Sequence, residues 1–138
     1  MEDERTLVLL KPDAVKRKLM GKVIERIEEK NLNISSMKLI SVSRAIAEDH
    51  YSEHKGKPFF GELISFITTG PALAMIVEGP KAIATMRAMM GKTNPFEAAP
   101  GTIRGDFGLD LTANLIHGSD SQESASREIK RFFGDDVA

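Results

Sequence analysis

The sequence predicts an α+β fold on three observations: short apolar runs of strand character, stretches of helical spacing between them, and their alternation over 138 residues. That length suits one compact domain spanning 1–138. Hydrophobic residues make up 41% of it, enough for a buried core and too many for a disordered chain. Nineteen Lys and Arg against twenty Asp and Glu leave a formal charge of −1. No bulk positive field exists to hold a nucleic-acid backbone or an anionic membrane, so any bound phosphate must be met by a few placed cations. The absence of Cys excludes a disulfide framework, a Cys-based zinc site and a thiol nucleophile, and fits a reducing compartment. The acidic opening Met1-Glu2-Asp3-Glu4 is unlike a basic secretory signal, and the longest apolar run, 72–77, is far short of a membrane span. A soluble, cytoplasmic protein is expected.

Thr6 to Leu10 (TLVLL) reads as a strand buried on both faces, ending at Lys11-Pro12, where Pro12 removes a backbone donor. Met20, Val23, Ile24 and Ile27 recur at helical spacing, and Ile34 to Val42 returns to strand character. Ser43 is placed to cap a helix through roughly His54. Pro58 precedes another helix, in which Phe60, Leu63, Ile64 and Ile67 share one face. After Thr69-Gly70-Pro71 comes a buried strand at 72–77, and Gly79-Pro80 is read as opening a helix with Ile83, Met86 and Met90 inward. Residues 91–112 carry too much Gly and Pro punctuation for a regular element and read as a long ordered loop, usually a functional one. Asn114 to Ile116 supplies a last strand, and Ser119-Asp120-Ser121-Gln122 a capping pattern before a terminal helix with Ala125, Ile129, Phe132 and Phe133 inward. The order suggests a ferredoxin-like βαββαβ arrangement, a four-stranded, mostly antiparallel sheet with helices packed on one face.

Among candidate motifs, Gly91-Lys92-Thr93 imitates the end of a P-loop, but position 86 is Met where Gly is required and the tripeptide follows a helix. His50-Tyr51-Ser52-Glu53-His54 is a literal H-x-x-E-H, which on one helical face would hold zinc and make a metal-dependent hydrolase using His50 and His54. An exposed polar helix is the plainer reading. Arg87 borders the apolar stripe of its helix and serves either by laying its stem along the core edge or by meeting an anion. Lys11 at a strand end and Arg104 in the long loop are bland singly; with Arg87 they outline a phosphate-binding cleft. His117 sits where the last strand hands over to the last helix, with Gly118 allowing close approach. Glu128 falls at the border of that helix's buried face. If it accepts from one imidazole nitrogen, the other is left unprotonated as a nucleophile. Phe59 stands beside Phe60 and is either part of a wider stripe with Leu63 and Phe66 or a platform for a planar ring.

Together KPDAVKR at 11–17, YSEHKGKPFF at 51–60, PGTIRGDFG at 100–108 and NLIHGSDS at 114–121 resemble nucleoside diphosphate kinase, over a stretch from Thr6 to Phe133. The resemblance implies reversible γ-phosphate transfer between nucleoside triphosphates, ATP and GTP among them, and diphosphates, by a ping-pong route through a phosphohistidine. It matches His117 to the nucleophile, attacking through Nδ1, Glu128 to its holder, and Ser119 to a supporting hydroxyl. Arg87, Thr93 and Arg104 match phosphate ligands. Lys11 and Asn114 match groups on the sugar hydroxyls, with Lys11 also near the transferred phosphate. Tyr51 matches a residue beside the histidine. Phe59 and Leu111 match the groups flanking the base, with Leu63 beside Phe59. Mg²⁺ is implied, held mainly by the nucleotide's own phosphates, with Asp120 assisting through water. The family forms homo-oligomers, and a hexamer is expected over a tetramer, although the chain stops soon after Phe132-Phe133 without the longer C-terminal arm of some relatives.

Overall fold

The computed structural model describes residues 3–134. Four strands, β1 (Asp3–Leu10), β2 (Asn33–Ser41), β3 (Pro71–Pro80) and β4 (Ile116–Gly118), form one sheet in the order β2-β3-β1-β4. Every pairing is antiparallel. The helices are α1 (Pro12–Lys16), α2 (Met20–Glu29), α3 (Arg44–His50), α4 (Phe60–Ile67), α5 (Ala82–Met90), α6 (Ile103–Phe107) and α7 (Gln122–Phe133). This is the expected ferredoxin-like arrangement.

Helices cover both faces of the sheet, not one. Strand alternation divides the core accordingly: Val8, Leu10, Leu73, Met75 and Val77 lie with Val23, Ile27, Met86 and Met90 of α2 and α5. Leu7, Leu9, Ala72, Ala74 and Ile76 lie with Ala47, Ile64, Ile67, Ile129 and Phe132 of α3, α4 and α7. Burial on both sides is why β1 and β3 read as unbroken apolar runs. The edge strand β2 behaves differently: it bulges between Ile34 and Ser36 and leaves Met37 and Leu39 exposed.

Local chemistry explains where the observed elements depart from the sequence pattern. Ser43 caps α3 as expected, accepting from the Ile46 N–H. However, α3 ends at His50, and a separate 3₁₀ turn, Ser52–His54, follows, so His50 and His54 do not share a face of one α-helix. The strand β3 runs through Gly79 and Pro80, which pair with Glu4 and Asp3, and α5 starts only at Ala82. The long loop contains the short helix α6, capped by Thr102, whose hydroxyl accepts from the Gly105 N–H. Gly105 hid it from a propensity reading, yet a Cβ there would lie 1.9 Å from the Ala99 carbonyl oxygen. The last strand is 116–118, not 114–116, because Leu115 has a φ of 77° and cannot lie in a ladder. Ser121 is the N-cap of α7, in a reciprocal box with Ser124.

Candidate active site

The register of β4 fixes the orientation of its central residue. His117 lies opposite Leu9, and directly paired residues share a face, so its imidazole projects toward α3 and α7. Glu128, on the second turn of α7, meets it there: His117 Nε2 donates to Glu128 Oε1 at 2.8 Å. Ser119, fully buried, donates its hydroxyl to the same oxygen at 2.7 Å and accepts from the Leu7 N–H at 3.2 Å. Burial alone would raise the Glu128 carboxyl, but the hydrogen bonds from His117 and Ser119 outweigh it and hold the group below the ordinary carboxylate range. A carboxylate accepting at Nε2 assigns the ring proton to that nitrogen. Nδ1 is then the unprotonated one, and no hydrogen bond among the described residues occupies it.

The structure also places His50 against this ring, a role that neither the zinc reading nor the exposed-helix reading of its segment contains. The two imidazoles meet edge to face with centroids 4.6 Å apart. Burial, together with the His117, Arg131 and Lys11 charges, pushes the His50 pKa down to about 3, so it is neutral at physiological pH. Arg131 donates to His50 Nδ1 at 3.1 Å and is itself held by Asp49 at 2.6 Å. The signal available in the sequence was the position of His50 in the last turn of a helix whose buried neighbour is Tyr51, but its partner lies 67 residues away.

A cleft of about 530 Å³ opens in front of His117, lined by His50, Tyr51, Arg87, Thr93, Asp120 and Glu128 among others. Arg87 stands at its edge, exposed, donating to the Gly118 carbonyl at 3.2 Å. Gly118 packs closely on the same helix: a Cβ there would lie 2.6 Å from the sulfur of Met90, whose side chain would have to shift. Lys11 is buried, and its ammonium donates to Asn114 Oδ1 at 2.8 Å. Burial and the Arg104 charge lower its pKa to about 8 against the raising effect of Asp13, leaving it cationic near neutrality. Arg104 does not line the cleft. It is buried, and its three nitrogens donate to the carbonyls of Asn114, Gly91 and Ile116. Tyr51 is buried beside His50, with its phenol pushed up to about 12 by burial and the nearby Asp13 charge. Phe59 is 42% exposed, near His54 and Lys57, and Leu111 is 60% exposed. Leu63 is half-buried against the core on the α4 face. Of the two readings of Phe59, the wider core stripe does not form; the ring lies at the surface against His54 and Lys57.

Two metal readings can be tested on this geometry. Among the described residues, the His and carboxylate groups close enough to share an ion are His50, His117 and Glu128, with ligand atoms within 4.8 Å. That set excludes His54 and Glu53; they pair with each other, and His54 also meets Lys57, Phe59 and Tyr51. Nothing supports the zinc hydrolase. Asp120 is suited to a hydrated cation: it is exposed at the cleft and held deprotonated by the Ser124 hydroxyl on one oxygen. No helix among the described residues is long and apolar enough to cross a membrane.

Fold and cleft together define an α+β domain in which a histidine held by a glutamate faces a cleft edged by Arg87 and Thr93. Residues 4–137 match the family described as nucleoside diphosphate kinase. Among relatives of that name, the Methanocaldococcus jannaschii protein is 60% identical over 133 residues, 96% of this chain and 95% of its own. The Archaeoglobus fulgidus protein is 57% identical over 133 residues, 96% and 88% respectively. The structure of a halophilic nucleoside diphosphate kinase from Halobacterium salinarum in complex with CDP superposes with a TM-score of 0.95 at 50% identity, covering 98% of this chain and 90% of that one. The chain belongs to the nucleoside diphosphate kinase family.

Proposed function

We propose that the enzyme transfers the γ-phosphate of a nucleoside triphosphate to a nucleoside diphosphate in two displacements at His117. Nδ1 attacks the γ-phosphorus, the N–P bond forms, the bond to the β–γ bridging oxygen breaks, and the diphosphate leaves with that electron pair. A terminal oxygen of the incoming diphosphate then attacks the same phosphorus and the N–P bond breaks, restoring the imidazole. The observation that carries this reading is the 2.8 Å contact from His117 Nε2 to Glu128 Oε1: it directs the lone pair on Nδ1 outward and stabilises positive charge that builds on the ring.

The remaining roles follow from the positions described. Arg87 and Thr93 meet phosphate oxygens at the open edge, the guanidinium with its fork and the hydroxyl as a neutral donor. Lys11 supplies a cation close to Asn114, and both lie near the sugar and the transferred group; Tyr51 walls the histidine. Arg104 reaches phosphate only by exchanging carbonyl contacts for phosphate oxygens, so its part begins as a scaffold. Phe59, with Leu63 one turn further along the chain, offers stacking without edge readout and so accepts any base, which Leu111 would flank. Mg²⁺ would supply charge neutralisation at the nucleotide's phosphates when bound, and Asp120 is the residue that would help hold it, through water. Apolar side chains left exposed at Met37, Leu39 and Phe96 support a homo-oligomer, and the resemblance favours a hexamer. A cytoplasmic site is supported by the Cys-free composition.

The test is incubation with γ-labelled ATP and Mg²⁺. The protein should acquire label that survives alkali and is lost in acid, and His117→Ala should acquire none. Label retained by that variant would overturn the reading.

A further inference from the structure

The residue that leads into β4 is held in a conformation its own side chain disfavours. Leu115 has a φ of 77°, where a Cβ crowds the backbone and a bulky residue is an outlier. The Ile116 N–H donates to the Asn114 carbonyl at 2.9 Å. Residues 114–116 thus make a three-residue γ-turn with positive central φ, the rare and strained form. Such a turn persists only where its surroundings over-determine it.

Its surroundings are specific. The Leu115 carbonyl accepts from the Lys11 N–H at 2.8 Å. The Leu115 N–H donates to Asp13 Oδ2 at 3.1 Å. Arg104 grips the carbonyls on either side, those of Asn114 and Ile116. The Leu115 side chain is 1% exposed in the core around Ile116 and Met90, so the turn cannot relax by swinging it into water. Asp13 is the one side-chain acceptor in this set. The turn aims two groups at once: Asn114 toward the Lys11 ammonium, 2.8 Å away, and His117, two residues beyond Leu115, toward Glu128.

We propose that Asp13 is a positioning residue for phosphotransfer: its carboxylate holds the strained turn at 114–116, and through that turn sets Asn114 against Lys11 and His117 against Glu128. The inference rests on His117 being the phosphoryl acceptor. Asp13 touches no reacting atom. It acts by denying the turn the relaxed backbone that Leu115 would otherwise take, a change of about an ångström at the imidazole being enough to cost rate.

The experiment measures the single-turnover rate at which His117 acquires acid-labile label from saturating MgATP. Asp13→Ala should be slower by about thirtyfold. Asp13→Asn keeps an oxygen that accepts from the Leu115 N–H and should recover most of that loss. Asp13→Ala/Leu115→Gly should also be faster than Asp13→Ala, by about fivefold, because glycine takes positive φ without a clamp. A purely structural role would lower the melting temperature and leave these rates, and their rescue, unmoved. The proposal is overturned if folded Asp13→Ala reacts within threefold of the parent, if Asp13→Asn is as slow as Asp13→Ala, or if the double variant gains nothing. Should Asp13→Ala not fold, the double variant is expected to fold and react; its failure to fold would count equally against the clamp. His117→Ala run alongside separates the two readings: label there removes the phosphohistidine itself, whereas its loss there with full rate in Asp13→Ala removes only the clamp.

Discussion

On the inner side of the cleft, His117, Glu128 and Ser119 are joined by bonds of 2.8 and 2.7 Å, and the buried Lys11 is seated on Asn114. On the outer side, Arg87, Thr93 and Asp120 stand exposed, and among the described residues Arg87 makes a single hydrogen bond, to the Gly118 carbonyl at 3.2 Å. Buried polar groups are costly unless partnered, so the inner set arrives pre-assembled. Exposed cations cost little to keep solvated, so the outer set waits for its anion. In the proposed reaction the rigid side does the chemistry and the adaptable side the capture, an arrangement that spends no reorganisation during transfer.

Substitutions on the two sides should therefore fail in different ways. The largest effect is expected inside: His117→Ala abolishes transfer and labelling. Glu128→Gln should lower kcat by about a hundredfold with little change in KM, since it orients the nucleophile and leaves ligand contacts alone; a KM effect without a kcat effect would erase the distinction. Arg87→Ala, outside, should raise KM about tenfold, the worth of one charge-assisted contact, equally for all bases; a base-selective loss would misplace it. Phe59→Ala should weaken every nucleotide by about 1 kcal/mol, near the low end for base stacking because its ring is already half in water.

The most diagnostic effect is on acid stability, and it is absent at neutral pH. The pKa of His50 is about 3 in the fold against an ordinary 6.5, so the unfolded chain binds more protons between those values. Stability then falls as pH drops from about 6.5 toward 3. Glu128, depressed in the fold, loses its contribution in the same direction as it protonates. His50→Phe should flatten the upper part of this decline in acid-unfolding curves; an unchanged slope would mean His50 is not held neutral by the inner wall.

Legibility in the sequence followed the range of the interaction. TLVLL and ALAMIV announced two strands buried on both faces, and Ser43 announced a helix start, because burial and capping act through neighbours in the chain. The boundary at 114–118 misled: Asn114, Leu115 and Ile116 have strand composition, while the turn they form depends on Lys11 and Asp13, about a hundred residues earlier. Gly105 read as loop because its reason, the Ala99 carbonyl, is a packing contact. His50 and His54 looked like a pair at i and i+4, but the helix stops between them, and His50 turned to His117 instead.

Periodicity and turn residues were enough to give the class of fold, and the motifs that carry the resemblance, NLIHGSDS among them, pointed to the family and singled out His117 for the proposed chemistry. Only the folded molecule decided which face the imidazole meets, which nitrogen carries the proton, that Arg104 is engaged by carbonyls and that Leu115 is strained. The physical reason is reach: propensity and capping operate over a few residues, whereas hydrogen bonds to a buried side chain are chosen by whatever the antiparallel register of β1 and β4 brings within 3 Å.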